Sequence, residues 1–290
     1  MTSRGSKWGG WATAAVLLVS AATAARADMV VIATTAPEVT LGERVPDGTR
    51  LEVPDGAQVT LISADGSTLT VEAPGGVVGG ASSSGGQRSI IDALQRVIQQ
   101  EENVGGVGAT RSASPAACAG VDDVLTLLKK GCEREAAARL KELAGTLSPS
   151  LYLGAQRPGS RPAFRLGEPI DITVQTNFDA YVYCFHEGSD GSTTRLVPLA
   201  GTAPRMEANK PAKLAGDLGQ FGALVASEPS GIDRLACFAS ESDLAGEAGD
   251  ILGGSPSLGK GAIDGRIRQA FAGDHDGRSA AGTLELEILQ

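Results

Sequence analysis

The chain is cut into short β-prone runs by turn residues, and no run is long enough to seed one large core. In the first third these runs are Val30-Val31-Ile32, Arg50-Leu51-Glu52-Val53, Gln58-Val59-Thr60-Leu61-Ile62 and Thr68-Leu69-Thr70-Val71. Several alternate apolar with polar residues, the period of a half-buried strand. They are separated by Pro46-Asp47-Gly48, Pro54-Asp55-Gly56 and Ala64-Asp65-Gly66-Ser67. Asp-Gly pairs favour tight turns because Gly accepts positive φ. The last separator joins two alternating runs and predicts a hairpin. Aromatic residues make up 4% of the chain and Gly numbers 39 of 290 residues, so several small cores are expected rather than one.

The first 27 residues read as an export signal. Arg4 and Lys7 precede a small apolar run over 12–25, and Ala25-Arg26-Ala27 places small residues where a signal peptidase cuts. A bilayer span takes about 20 apolar residues, so the run is short for that role. The mature chain is expected to begin at Asp28, in the periplasm or outside the cell, where disulfides form. No Cys lies near residue 27, so no lipid anchor is expected there. Residues 1–27 carry three basic residues and no acid, so the charge of −9 becomes −12 without them. That charge argues against nucleic acid, whose affinity comes from Lys and Arg on phosphates. No membrane span is expected after signal removal.

Residues 75–86 are rich in Gly and Ser and read as a linker. Helical patterns follow. Ile91, Leu94, Val97 and Ile98 share a face, and further stretches run over 121–130 and 133–144, stopped by Gly131 and Gly145. Their stripes, Val124-Leu127-Leu128 and Ala136-Leu140-Leu143, are expected to pack on one another.

Strand signals return with runs at 150–153, 170–176, 180–186, 194–199, 222–227, 234–239 and 283–289. Seven short strands with turns between them suggest an immunoglobulin-like β-sandwich. The expected fold class is mainly β. The expected parts are a signal at 1–27, a small β unit at 28–74, the linker at 75–86, a helical connector at 87–147 and the sandwich at 148–290.

Two resemblances add to this reading. Residues 164–174, Phe-Arg-Leu-Gly-Glu-Pro-Ile-Asp-Ile-Thr-Val, are followed by Asp179-Ala180-Tyr181-Val182-Tyr183, Asp190-Gly191, Arg195-Leu196-Val197-Pro198 and Gly231-Ile232-Asp233-Arg234-Leu235. The pattern resembles a bacterial envelope family known only as a domain of unknown function. The resemblance covers about 151–239 and implies a β-sandwich with no known catalytic residues. Cys184 and Cys237 stand where that pattern is apolar, which suggests a local staple. The first β unit resembles the periplasmic part of FecR-type proteins through Leu41-Gly42-Glu43-Arg44-Val45, Gly48-Thr49-Arg50-Leu51, Gly56-Ala57-Gln58-Val59-Thr60-Leu61 and Asp65-Gly66-Ser67-Thr68-Leu69. FecR proper resembles a regulator with a cytoplasmic segment and a membrane span. This sequence has neither, so the regulatory role does not transfer.

Four cysteines allow three pairings. Cys184 with Cys237 is expected, because both lie mid-strand in apolar runs. Cys118 with Cys132 is the remainder. A helix over 121–130 would rise about 15 Å between them, while bridged Cα atoms lie within about 7 Å. That bridge needs a shorter helix and a chain that doubles back at Ala119-Gly120.

The patterns that suggest chemistry are each read more simply. Residues 254–261 nearly spell a phosphate-binding loop, but Gly261 follows Lys260 where Ser or Thr must hold Mg²⁺. His186 sits at a strand end beside Glu187. Asp274-His275-Asp276 could touch a divalent cation but lacks the further acid of a calcium loop. Asp122-Asp123 and Glu101-Glu102 are adjacent helix acids, which point apart. Tyr181, Tyr183 and Phe185 share one strand face and read as core ahead of a ligand platform. No catalytic, cofactor or metal residue is assigned, and no cofactor is expected. The expected function is non-enzymatic: an exported envelope protein that binds or scaffolds through its sandwich. Its partner would be another envelope protein or a cell-wall glycan. The alternatives are a metal-dependent periplasmic hydrolase using Asp274, His275 and Asp276, and a secreted effector. Cleavage in the linker is expected to release the first β unit.

Overall fold

A computed structural model describes residues 28–64, 66–78, 93–95, 97–98, 118–121, 123–157, 159, 161–219, 221–246, 248–271 and 277–290. The expected signal at 1–27, most of the linker, Glu101, Glu102, Asp122 and the 274–276 cluster lie outside them. The protein is mainly β, with several sheets and few helices.

The first unit contains β1 (Met29–Thr34), β2 (Arg44–Val45), β3 (Arg50–Leu51), β4 (Gln58–Ser63), β5 (Thr68–Glu72) and β6 (Gly76–Val77). Four of them form a sheet in the order β2-β1-β4-β5, and β3 pairs with β6. The expected hairpin is β4–β5, with Ile62 opposite Thr68 and Gly66 at φ 89°. Every residue of β1 is buried. Its side chains serve two cores: Val31 packs with Leu61 and Val71 on one face, and Val30 and Ile32 pack with helices on the other. A strand covered on both faces reads as an apolar run rather than an alternation.

Those helices include α1 (Val124–Lys129) and α2 (Glu133–Thr146). Asp123 caps α1, accepting from the Thr126 amide at 2.8 Å and the Thr126 hydroxyl at 2.6 Å. The hydroxyl bond is the main reason its carboxyl titrates below the usual range. Leu127, Leu128, Ala136 and Leu140 are buried together with Leu94, Val97 and Ile98 and the sheet residue Ile62, so the stripes do pack on one another.

The C-terminal half is a sandwich of two unequal sheets. Its strands are β7 (Leu151–Ala155), β8 (Ala163–Arg165), β9 (Pro169–Ile170), β10 (Ile172–Thr176), β11 (Ala180–Glu187), β12 (Ser192–Val197), β13 (Arg205–Met206), β14 (Ala212–Lys213), β15 (Leu224–Val225), β16 (Gly231–Ser240), β17 (Ser257–Lys260) and β18 (Ser279–Leu289). The large sheet runs β17-β12-β11-β16-β18-β8, with β13 beside β11, the small one runs β14-β10-β7, and β9 pairs with β15 in a separate two-stranded ribbon. Leu153, Val174, Val182, Leu235, Leu286 and Ile288 are among the side chains of the core between them. The outer face of the large sheet carries a second core. Tyr183, Phe185 and Phe238 lie there under a cover formed by α3 (Gly249–Leu252), a π-helical turn (Ile263–Ile267) and α4 (Arg268–Phe271). Each of the seven expected sandwich runs contains or overlaps a strand. The two-residue strands β13 and β14 are too short to carry a period.

Two expectations about the first unit need correction. Composition reads as a linker from residue 75, yet Gly76 and Val77 form β6 and Val78 is fully buried. The glycines misled because Gly75, at φ 99°, is there for close approach: a Cβ would collide with the Leu51 carbonyl. The unit is also bound to the sandwich. The Thr34 amide donates to Asn209 Oδ1 at 2.8 Å, and the buried Gln175 amide donates to the Thr34 carbonyl at 3.1 Å. Tyr152 of β7 is buried in the core of the first unit. Buried polar groups so paired are costly to separate. A specific protease site inserted at 80–86 is therefore expected to cut the chain without releasing the unit. Native gel filtration after cleavage should give one peak, and two peaks would show that this interface does not hold. Adding Gln175→Ala, which leaves Thr34 and Asn209 carbonyls unpaired, is expected to promote release.

Candidate functional site

The cysteines pair as expected. Cys184 and Cys237 face each other across β11 and β16 with Cα atoms 4.1 Å apart, fully buried, and their bridge lies in the main core. Cys118 and Cys132 are also bridged, at a Cα separation of 5.9 Å. The length objection falls because α1 is only six residues long and Gly120 and Gly131, at φ 72° and 73°, turn the chain back at its two ends.

His186 is not an isolated edge residue. Its Nε2 lies 2.9 Å from Asp233 Oδ2, and Asp233 Oδ1 accepts from the Ser189 amide at 2.9 Å. Ser, His and Asp thus stand together, but the Ser189 hydroxyl donates to the Pro229 carbonyl at 2.9 Å rather than to His186. A nucleophile needs its base within hydrogen-bond reach. The arrangement instead ties the β11–β12 turn to the loop before β16, where Gly231 at φ 144° leaves room for Ser189. On the outer face, Arg234 makes a two-pronged contact with Asp264 at 2.8 and 3.0 Å and reaches Glu187 at 2.9 Å. The Asp264 bonds raise the Arg234 pKa, and Arg234 in turn lowers that of Asp264.

Residues 257–260, the end of the near-match to a phosphate loop, form edge strand β17, with Ser192 opposite Lys260. A chain extended in a sheet cannot wrap a phosphate. The loop before it has a different task. Arg195, 2% exposed, donates to the Ile251 carbonyl, to Leu199 at 3.2 Å and to Gly254 at 3.0 Å. Burial lowers its pKa, and no carboxylate pairs with it among the described residues.

The tyrosine face is core. Tyr183 and Phe185 are fully buried, and Phe238 stacks on Phe271 at 4.6 Å between centroids. The Tyr183 hydroxyl donates to Asp243 at 2.7 Å and accepts from the Leu244 amide at 2.7 Å. Burial, then the Asp243 bond, pushes its pKa well above the tyrosine range. In the unfolded chain it ionises near pH 10. A folded value above the unfolded one gives stability that is complete below about pH 10 and is lost as pH rises through the folded value. Alkaline titration should therefore uncover the outer core, and Tyr183→Phe should flatten that loss in denaturant midpoints measured from pH 8 to 11. An unchanged slope would remove Tyr183 as the cause.

What remains open is an edge. β18 pairs with β16 along residues 279–288, but β8 pairs with it only at residues 287–289. The Glu287 amide donates to the Pro162 carbonyl, which fixes the parity: backbone groups of odd-numbered residues point away from β16. Among the described residues, no strand pairs with that side of β18 at Ser279, Ala281 and Thr283, while at Glu285 the chain entering β8 arrives and Arg161 Nε donates to Glu285 Oε2 at 2.8 Å. A cleft of about 430 Å³ adjoins its start, lined by Gln58, Glu72, Ser150, Leu151, Ala280 and Ala281. A smaller one of about 220 Å³ lies on the outer face between Phe238, Phe271, Arg268 and Ala281. Sequence reasoning gave the strand but not its open side, because pairing partners leave no local signal.

Comparison with known proteins points to a class without an assigned activity. Residues 163–243, from β8 past the end of β16, match the model of a family described as Domain of unknown function (DUF4384). No curated protein and no solved structure matches the chain.

Proposed function

We propose that this is an exported, non-catalytic binding or scaffolding protein of the bacterial envelope, and that its docking element is the open side of β18. The observation that carries this reading is the row of outward N–H and C=O groups at Ser279, Ala281 and Thr283 beside a cleft. Such a row is completed by an added strand, so a protein segment fits it better than a glycan. Export is supported by the Ala25-Arg26-Ala27 pattern and by two disulfides, which persist in oxidising compartments. No described helix is long and apolar enough to cross a membrane. The FecR-type likeness of the first β unit fits an envelope setting and adds no regulatory role.

The test is affinity capture from envelope extract with the mature chain and with Thr283→Pro as bait. The Thr283 amide points away from β16, so proline there removes no bond of the β16 ladder. A protein captured by the first bait and lost with the second supports the reading. Recovery of the chain only from cytoplasm, with Met1 retained, would overturn it.

A further inference from the structure

We propose that the strand completing β18 belongs to another protein and carries two adjacent side chains of set character, one bulky and apolar, the other basic. This rests on the reading of β18 as the docking edge and names the segment that the edge selects. The two clefts beside the edge share two residues, Ala280 and Ala281. They open on opposite faces of the large sheet. Ala281 has its side chain on the outer face, beside Phe238 and Phe271, while Ala280 packs against the inner core that holds Leu151. Side chains directly opposite one another on paired strands share a face, and successive ones alternate. A strand laid along Ser279, Ala281 and Thr283 therefore sends the residue opposite Ala281 toward the outer cleft. Its neighbour, opposite Ala280, goes toward the inner one.

The walls decide what each cleft accepts. The outer cleft, about 220 Å³, is walled by Phe238, Leu244 and Phe271. Ligand pockets run to about 300–1,000 Å³, so this one suits a single side chain rather than a free ligand. The one cation in its lining, Arg268, faces Asp264 at 3.6 Å, so a large apolar side chain fits better than an acid. The inner cleft, about 430 Å³, has no aromatic ring in its lining, and Glu72 is the one charged side chain there. Glu72 ends edge strand β5 and is exposed, and among the described residues no cation pairs with it. Arg278, just before β18, is held by the Leu147 carbonyl at 3.2 Å and lies 4.9 Å over the Phe178 ring. A lysine or arginine on the added strand supplies the missing partner, and the net charge of −9 favours the approach of a basic segment. Gly282 sets the limit. A Cβ there would lie 3.0 Å from the Leu151 carbonyl, so β7 closes the inner face from that point and leaves the position opposite Ala280 as the entrance.

The test is selection of random peptides displayed on phage, with the chain from Asp28 to Gln290 and both disulfides intact as target. Peptides with Phe, Leu or Ile next to Lys or Arg should be enriched. Synthetic copies should lose more than tenfold in affinity on Thr283→Pro, with far-UV dichroism unchanged. Ala281→Leu, at an exposed position, should fill the outer cleft and exchange the preference for a bulky residue for a small one. Glu72→Lys should weaken the basic peptides more than tenfold and favour peptides with an acid in that place. Thr283-dependent peptides without this pair, or preferences unmoved by Ala281→Leu and Glu72→Lys, overturn the proposal and leave the docking edge standing. Dimerisation of the chain that is lost on Thr283→Pro would make a second copy the occupant and also overturn it. Failure to enrich any Thr283-dependent peptide overturns the docking edge as well.

Discussion

Replacing Cys184 and Cys237 together by alanine is expected to lower unfolding free energy by about 4 kcal/mol. The bridge joins residues separated by 53 positions, and the chain-entropy relation gives about that figure for a loop of this size. Typical domains have only about 5–15 kcal/mol in total, so the loss is a large share. The loop it closes holds β12 to β15, the least regular part of the sandwich. In the same relation the Cys118–Cys132 loop, with a separation of 14, is worth about 3 kcal/mol. Urea denaturation of the two double variants should therefore rank them in that order. A loss below about 1 kcal/mol at Cys184–Cys237 would show that the sheet pairing alone holds β11 on β16.

Arg195→Met should be nearly as damaging, by about 3–5 kcal/mol. The side chain is a buried cation held by three carbonyls and, among the described residues, by no anion. Removing it strands those carbonyls in a dry site, each at about 1–3 kcal/mol, against which the relief of burying a lone charge is set. The damage should be local at first. Ile251 and Gly254 belong to the cover over the outer aromatic core, so protease should gain access within 241–271 while the inner core stays folded. Arg195→Lys is expected to recover little, since one ammonium cannot span three carbonyls on a planar fork. Wild-type denaturation midpoints and protease resistance in Arg195→Met would contradict this account.

How far the fold was legible follows from where its information lies. Alternation over 58–62 and 68–71 and the Asp65-Gly66 turn name a hairpin, because both signals are local. Strands such as β11 and β16 announce themselves by apolar content. The cover over 241–271 has no usable period: it is two short helices, an edge strand and a π turn, each too brief for 3.6-residue repeats. Arg195 gave no warning either, since a lone Arg in Thr194-Arg195-Leu196 reads as an exposed strand position. The association of the first unit with the sandwich depends on Thr34, Gln175 and Asn209, which are far apart in the chain and individually ordinary. The candidate edge was hidden for a related reason. An unpaired strand side is defined by which neighbour stops short, here β8, and only the folded topology states that.

β7 carries a further consequence. Its alternate side chains answer to different masters: Leu151 and Leu153 fill the sandwich core, while Tyr152 enters the core of the first unit. A slip of one residue would exchange them, offering a bulky phenol to one cavity and leaving the other short of it. The strand is thus proofread from both sides at once, which a strand with one wet face is not. Gly154 tightens the check, for a Cβ at that position would strike the Tyr152 ring and hydroxyl. Register here is the common property of two cores, so a packing change in either is felt as misalignment by the other.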